Sequence, residues 1–224
     1  MNQPIGPDER GRFRGCLLGL ACGDAVGTTV EFTARGRFKP VTDMVGGGVF
    51  QLPPGAWTDD TSMALCLASS LTELGRFDPD DQMRRYWRWV DDGYLSSTGR
   101  CFKETVLLGH GVDDATSPKI REIAQGEYRG KREADVRGSG YVVQSLEAPL
   151  WCFWQTSSFE AAVLKAANLG DDADTTAAVC GQVAGAFYGE QGIPAHWLER
   201  LVMREAIADL ADRLHEGQKR GTVS

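Results

Sequence analysis

A chain of 224 residues has room for one domain or at most two small ones. Its balance of 42% apolar and 25% charged residues suits a protein that buries a sizeable core. A formal charge of -7 argues against broad, sequence-independent affinity for nucleic acid, while leaving room for a local anion site built from backbone amides. The six cysteines form no CxxC pair and most sit among apolar neighbours, so buried thiols are expected rather than disulfides or ligands. The three histidines, His110, His196 and His215, are too scattered for a His-rich zinc site. No stretch reads as a signal peptide or reaches the length of a membrane span, so the expected compartment is cytoplasmic.

In chain order, residues 11–22 place Phe13, Leu17 and Leu20 at helical spacing, and the pattern breaks at Gly23-Asp24. Residues 32–56, with Gly46-Gly47-Gly48 and Pro53-Pro54-Gly55, read as a long irregular excursion. Asp59–Leu74 reads as a helix, polar at its start and apolar afterwards. Asp78 is expected to cap the next helix, with Pro79 in its first turn and Met83, Tyr86, Trp87 and Val90 on one face. The charged stretch 113–137 predicts a short helix and a surface loop. Residues 141–154 suit a largely buried helix disturbed near Pro149. A capping box from Ser157 to Glu160 opens a helix over Phe159–Leu169. Ala173–Tyr188 is expected to be helical, and Gly181, Gly185 and Gly189 at four-residue spacing imply close approach of another helix. His196–Leu214 reads as a final amphipathic helix before a frayed tail. Nothing alternates like a set of strands, so the predicted fold is mostly α.

Two acidic runs stand out, Thr58-Asp59-Asp60 and Asp171-Asp172-Ala173-Asp174-Thr175, each at a predicted helix start. One reading is plain: N-caps and first-turn acids that the helix dipole favours. The other is a cluster of oxygen ligands for Mg²⁺ or Mn²⁺, since carboxylates and Thr hydroxyls suit a hard divalent cation. Five nearby carboxylates would accommodate two ions. The spacing is not that of an EF-hand, and no P-loop or Rossmann fingerprint is present. Glu31 is either a surface acid or a carboxylate that helps activate water. Gly138-Ser139-Gly140-Tyr141 precedes a helix and is either a simple junction or an amide-lined phosphate site, with Tyr141 able to stack on a base or ribose.

Taken together, GCLLGLACGDAVGTTVEF at 15–32, WTDDTSMAL at 57–65, STGRCF at 97–102, VRGSGYVVQSLEAPLW at 136–151 and NLGDDADTTAAVCGQVAGAFYG at 168–189 resemble the ADP-ribosylglycohydrolase family, in particular members like dinitrogenase reductase-activating glycohydrolase. The resemblance implies one compact all-α, ADP-ribosylglycohydrolase-like helical domain over 1–224, with two Mg²⁺ or Mn²⁺ ions held by Thr58, Asp59, Asp60, Asp172, Asp174 and Thr175. Asp171 would support these ligands and Asp24 would lie behind them. Glu31, Asp60 and Asp172 are the implied catalytic residues, and Gly138, Ser139, Gly140 and Tyr141 the implied substrate loop. The implied reaction is hydrolysis at the anomeric carbon of ADP-ribose attached to an arginine, a serine or a related acceptor. The implied partner is therefore an ADP-ribosylated protein or an ADP-ribose-containing small molecule.

One departure stands beside the match. The Gly-Asn-Gly stretch usual in the family is missing, and only Lys103–Arg137 separates Phe102 from Gly138, an atypically short middle segment. Two further readings therefore accompany the hydrolase: a weak or inactive ADP-ribose-binding module, and a structural relative whose acids serve only as caps.

Overall fold

A computed structural model of the chain describes residues 6–101 and 118–221, and these form a helical domain. The first helix, α1, spans Glu9–Gly27 and is capped by Asp8, whose carboxylate accepts from the Gly11 amide at 2.7 Å. It does not break at Gly23-Asp24 as the sequence suggested. Gly23 is needed there because a Cβ would fall on the Ala177 carbonyl of a later helix, α7 (Ala173–Tyr188). The Asp24 carboxylate is taken up by donors from another chain segment, so neither residue ends the helix.

The α1–α7 pair is the spine of the molecule. Gly15, Gly19, Gly23 and Gly27 face Gly185, Gly181, Ala177 and Ala173 in turn, an antiparallel seam in which each added Cβ would meet a backbone carbonyl across the interface. The close approach expected from Gly181 and Gly185 is present, and α1 supplies the matching glycines. Gly189 instead ends α7 at φ +74°, a conformation that suits glycine.

Around this pair lie α2 (Asp59–Leu74), α3 (Pro79–Asp92), α4 (Pro118–Gln125), α5 (Val142–Trp154), α6 (Phe159–Ala167), α8 (Ala195–Arg200) and α9 (Arg204–Lys219). The expected bounds of α2 and α7 hold, and Pro149 lies inside α5. Asp78 caps α3 by accepting from the Asp81 amide at 3.0 Å.

The inward face of α3 differs from the sequence reading. Met83 and Trp87 are exposed, while Arg85 and Trp89 are buried. Arg85 can turn inward because Asp81 and Glu73 each accept from its guanidinium at 2.6 Å. The cap of α6 is Ser158 rather than Ser157, with Ser158 Oγ accepting from the Ala161 amide at 3.1 Å. The expected final helix is two, α8 and α9. Between them the Val202 amide donates to the Gly55 carbonyl, Trp57 Nε1 donates to the Val202 carbonyl, and Met203 adopts φ +56°.

The excursion over 32–56 is irregular but tied down. Asn168 accepts from the Val41 amide and donates to its carbonyl, and Asp43 accepts from Trp197 and Arg200. Among the described residues β-pairing is limited to two isolated bridges, Ala34 with Gly170 and Gly47 with Leu52. None of the six cysteines is disulfide-bonded, and four are buried. No helix among the described residues is long and apolar enough to cross a membrane.

Candidate active site

The close α1–α7 seam brings the two acidic runs together around Asp24. This residue is fully buried on α1, where its Oδ1 accepts from the Thr58 amide at 2.9 Å and from Thr58 Oγ1 at 2.8 Å. Its Oδ2 accepts from the Thr61 amide at 3.0 Å and Thr61 Oγ1 at 2.7 Å. Asp24 thus fixes the N-terminus of α2 from outside that helix. Thr58 Oγ1 also lies 3.2 Å from Asp174 Oδ2 on α7, which links the two runs directly.

The N-cap part of the plain reading fails on geometry, while Asp59 and Asp60 in α2 and Asp174 in α7 do stand in first turns. Thr58 and Asp172 occupy the N-cap positions of α2 and α7, yet neither side chain accepts a capping hydrogen bond. Thr58 turns its hydroxyl toward two carboxylates, and the Asp172 side chain is left facing the loop that carries Gly140, whose added Cβ would lie 3.8 Å from Asp172 Oδ2. The Asp172 carbonyl also serves its helix, accepting from the amide and hydroxyl of Thr176.

The result is a concentration of negative groups. Burial raises Asp59 to about 6, with Asp24 adding to it. Burial and then Asp24 and Asp172 raise Asp174 to about 8. Asp60 is pushed well above the usual carboxylate range by burial and by Asp174, and burial raises Asp24 and Asp172 as well. Glu31, at the end of the short 3₁₀ turn Thr28–Val30, is raised to about 10 by burial and then by Asp174. Its Oε2 is buried with no hydrogen-bond donor among the described residues. Among the described residues no Lys or Arg side chain bonds to any of these six acids. Such a group is costly without a positive partner. Even so, among the described residues no three Asp, Glu, His or Cys side chains form a group able to hold a metal ion as they stand.

Of the residues singled out in the sequence, Glu31, Asp59, Asp60, Asp172 and Asp174 act electrostatically on one another or on Asp24. Thr175 lies beside Asp174, whose Oδ1 accepts from the Thr175 amide at 2.9 Å. Asp171 is exposed and contributes backbone: its carbonyl accepts from the Phe32 amide at 2.8 Å and its amide donates to the Thr33 carbonyl at 2.9 Å. Both Phe32 and Asp171 adopt positive φ, +59° and +57°, to make this exchange.

The Gly138–Tyr141 loop joins the same region. The Gly138 carbonyl accepts from the Asp172 amide at 3.3 Å, and a Cβ on Gly138 would press on Thr176 Oγ1 at 2.7 Å. Ser139 Oγ accepts from the Tyr141 amide and donates to Gln144. Tyr141 is half exposed, with Lys119 Nζ 5.5 Å from its ring centroid. The N-termini of α2, α5 and α7 therefore meet around one acidic hollow, and their dipoles favour anions there.

The histidines stand elsewhere. His196 pairs with Asp43, and His215 packs on Phe13 beside Glu9. His110 lies outside the described residues, as do Phe102 and the first part of the short middle segment, residues 103–117. Thr61, Thr176, Lys119 and Arg35 take part in the site's framework without having been foreseen. Thr61 had a signal, a second Thr one turn after Thr58, whereas Arg35 and Lys119 are single basic residues with no local pattern.

A sequence profile of the family described as ADP-ribosylglycohydrolase matches residues 6–126 and 104–222. The chain is 36% identical to the ADP-ribosylarginine hydrolase Tri1 of Serratia proteamaculans (strain 568), over 288 aligned positions that cover 91% of this chain and 78% of the relative. It is also 36% identical to the protein of the same name from Pseudomonas putida (strain GB-1), with 92% and 78% covered. Identity is 29% to the ADP-ribosyl-[dinitrogen reductase] glycohydrolase of Rhodospirillum rubrum, with 89% and 93% covered. A solved structure titled "ADP-ribosylglycohydrolase-related protein complex" superposes with a TM-score of 0.80 at 34% identity, covering 93% of this chain and 99% of that one. The chain belongs to the ADP-ribosylglycohydrolase family, and thereby to the glycosidase-type enzymes.

Proposed function

We propose that this protein hydrolyses the N-glycosidic bond between ADP-ribose and an arginine side chain, with two divalent cations, Mg²⁺ or Mn²⁺, in the acidic hollow. The observation that carries the proposal is the convergence of Glu31, Asp59, Asp60, Asp172 and Asp174, which act on one another or on Asp24 with, among the described residues, no basic side chain bonded to them. Arginine is favoured over serine because two relatives at 36% identity are named ADP-ribosylarginine hydrolases.

The donor set fits a hard cation: carboxylates, Thr hydroxyls, and a buried Glu31 oxygen without a donor. Thr58, Asp59, Asp60, Asp172, Asp174 and Thr175 would hold the ions. When bound, such ions supply Lewis-acid stabilisation and ease the ionisation of water.

The chain's own residues do the rest. Asp24 orients Thr58 and Thr61 and so sets the α2 end of the hollow. Glu31 holds or takes up a proton at its buried Oε2, where burial and the neighbouring Asp174 raise its proton affinity. The acids offset positive charge that develops at the anomeric carbon as its bond to the guanidine nitrogen breaks. Water oxygen bonds to that carbon as the carbon–nitrogen bond breaks with its electron pair going to nitrogen. One water proton goes to Glu31, and the guanidine leaves neutral and then takes up that proton to become guanidinium. The Gly138–Tyr141 loop would receive the diphosphate and adenosine, with Lys119 beside it.

The shortened middle favours a second reading, an ADP-ribose-binding protein with little turnover. Its support is that the alignment to the Serratia relative runs over 288 positions, longer than this 224-residue chain, so the relative carries sequence this chain lacks.

Release of ADP-ribose from arginine- and serine-modified peptides, with Mg²⁺, Mn²⁺ or chelator, separates the two. Cation-dependent release from the arginine peptide, lost in Asp172→Asn, is expected. Binding of ADP-ribose without release would move the assignment to the binding protein.

A further inference from the structure

The substrate loop and the acidic hollow come from distant parts of the chain, and one side chain spans the gap between them. Arg35 follows Glu31 by four residues on the irregular segment. Its guanidinium donates to three backbone carbonyls: Leu169 at 3.2 Å, Glu133 at 2.8 Å and Val136 at 2.5 Å. Leu169 precedes the second acidic run by two residues, and Val136 precedes Gly138 by two.

The neighbouring contacts show why this matters. The Glu31 segment and the second acidic run are joined by backbone, through Phe32, Thr33 and Asp171 and through the Ala34–Gly170 bridge. Among the described residues the backbone hydrogen bond between the Gly138 loop and the second run is that from the Asp172 amide, at 3.3 Å, beside packing of Gly138 on Thr176. From the Glu31 side, the bonds that reach residues 133–138 come from Arg35. Val136 is fully buried, so its carbonyl has no water to turn to if the guanidinium is removed.

Arginine is suited to this task. Its rigid fork reaches several acceptors at once, whereas a lysine ammonium on a flexible stem reaches fewer with less pre-organisation. All three acceptors are carbonyls, which fixes where two loops lie relative to each other.

We infer that Arg35 is a positioning residue, whose guanidinium holds the Gly138–Tyr141 loop in register with Glu31 and Asp172 and so sets the affinity for the ADP-ribose half of the substrate. This rests on the proposed function. Small misplacements of binding groups are costly, and here the loop that moves is one that binds while the acids that react stay in place.

The test compares wild type, Arg35→Ala and Arg35→Lys by ADP-ribose titration calorimetry, by kcat and KM on arginine-modified peptide, and by amide hydrogen exchange. For Arg35→Ala, ADP-ribose Kd and KM should both rise about tenfold or more, with kcat within about threefold of wild type. Exchange should quicken at residues 133–141 and remain slow in α1 and α7. Arg35→Lys should fall between, and it carries the test if Arg35→Ala does not fold. Wild-type ADP-ribose affinity in Arg35→Ala would overturn the inference. So would a fall in kcat with faster exchange throughout α1 and α7, which marks a general loss of structure. A wild-type protein that binds no ADP-ribose would take down the proposed function and the binding role of Arg35 with it, while exchange at 133–141 would still report the clamp.

Discussion

At the scale of single residues, the acidic hollow is governed by what each carboxylate has as a partner. Asp24 is fully buried and has four donors from Thr58 and Thr61, whereas Glu31 Oε2 is buried and has none. The first arrangement builds structure, and the second leaves an oxygen ready for chemistry. Glu31→Gln keeps the size of the side chain and removes its ability to accept a proton. It should lower kcat by about a hundredfold to ten-thousandfold with little change in KM, the range typical of a lost general base. Steady-state kinetics at saturating cation measures this, and an unchanged kcat would remove Glu31 from the reaction. The identities of these acids were legible in the sequence as two dense runs. The partnering of Asp24 with Thr58 and Thr61 was not, because those donors come from a segment more than thirty residues away.

At the scale of elements, the α1–α7 seam decides how near the two runs come. Gly15, Gly19, Gly181 and Gly185 bring backbone against backbone, with no side chain between. A methyl at Gly181 would land on the Gly19 carbonyl, and neither main chain can move without shifting its helix. Gly181→Ala should therefore destabilise the fold by about 1–3 kcal/mol, the usual scale of overpacking, even though alanine favours a helix more than glycine does. Urea denaturation reads the change, and a stabilised variant would show that the seam is looser than described. The Gly repeat on α7 was readable from its four-residue spacing. The matching repeat on α1 lay within a pattern that local sequence cut at Gly23-Asp24, since tertiary contacts override that local break.

For the whole molecule, stability and pH are coupled through the hollow. Unfolded Asp and Glu titrate near pH 4, whereas Asp59, Asp174 and Glu31 are raised to about 6, 8 and 10 in the folded chain. The folded state thus binds more protons than the unfolded state above pH 4. The stability these groups contribute is complete below their unfolded values and is lost as pH rises through the folded ones. Asp43 and Asp212, lowered by Arg200 and Arg10 among other donors, act only below the ordinary carboxylate range and leave this window alone. Chelator-treated protein should therefore melt at a lower temperature at about pH 8 than at about pH 5. Mg²⁺ or Mn²⁺ should restore the loss at the higher pH, by about 2.7 kcal/mol at a hundred times its Kd. Calorimetric scans across pH with and without cation test this, and a melting temperature that climbs with pH in chelator would contradict it.

Local sequence determined the helical class, the bounds of α2 and α7, the Asp78 cap and the two acidic runs, because periodicity, capping and composition act within a few residues. Only the tertiary structure decided that Thr58 and Asp172 do not cap their helices, that Arg85 rather than Met83 turns inward on α3, and that the last helix divides at Leu201–Met203. It also brought Asp24, Thr58 and Asp174 to one point and set Arg35 between two loops. Those outcomes depend on hydrogen bonds and contacts between distant segments, where a buried polar group takes the partner that packing supplies rather than the one its neighbours in sequence suggest.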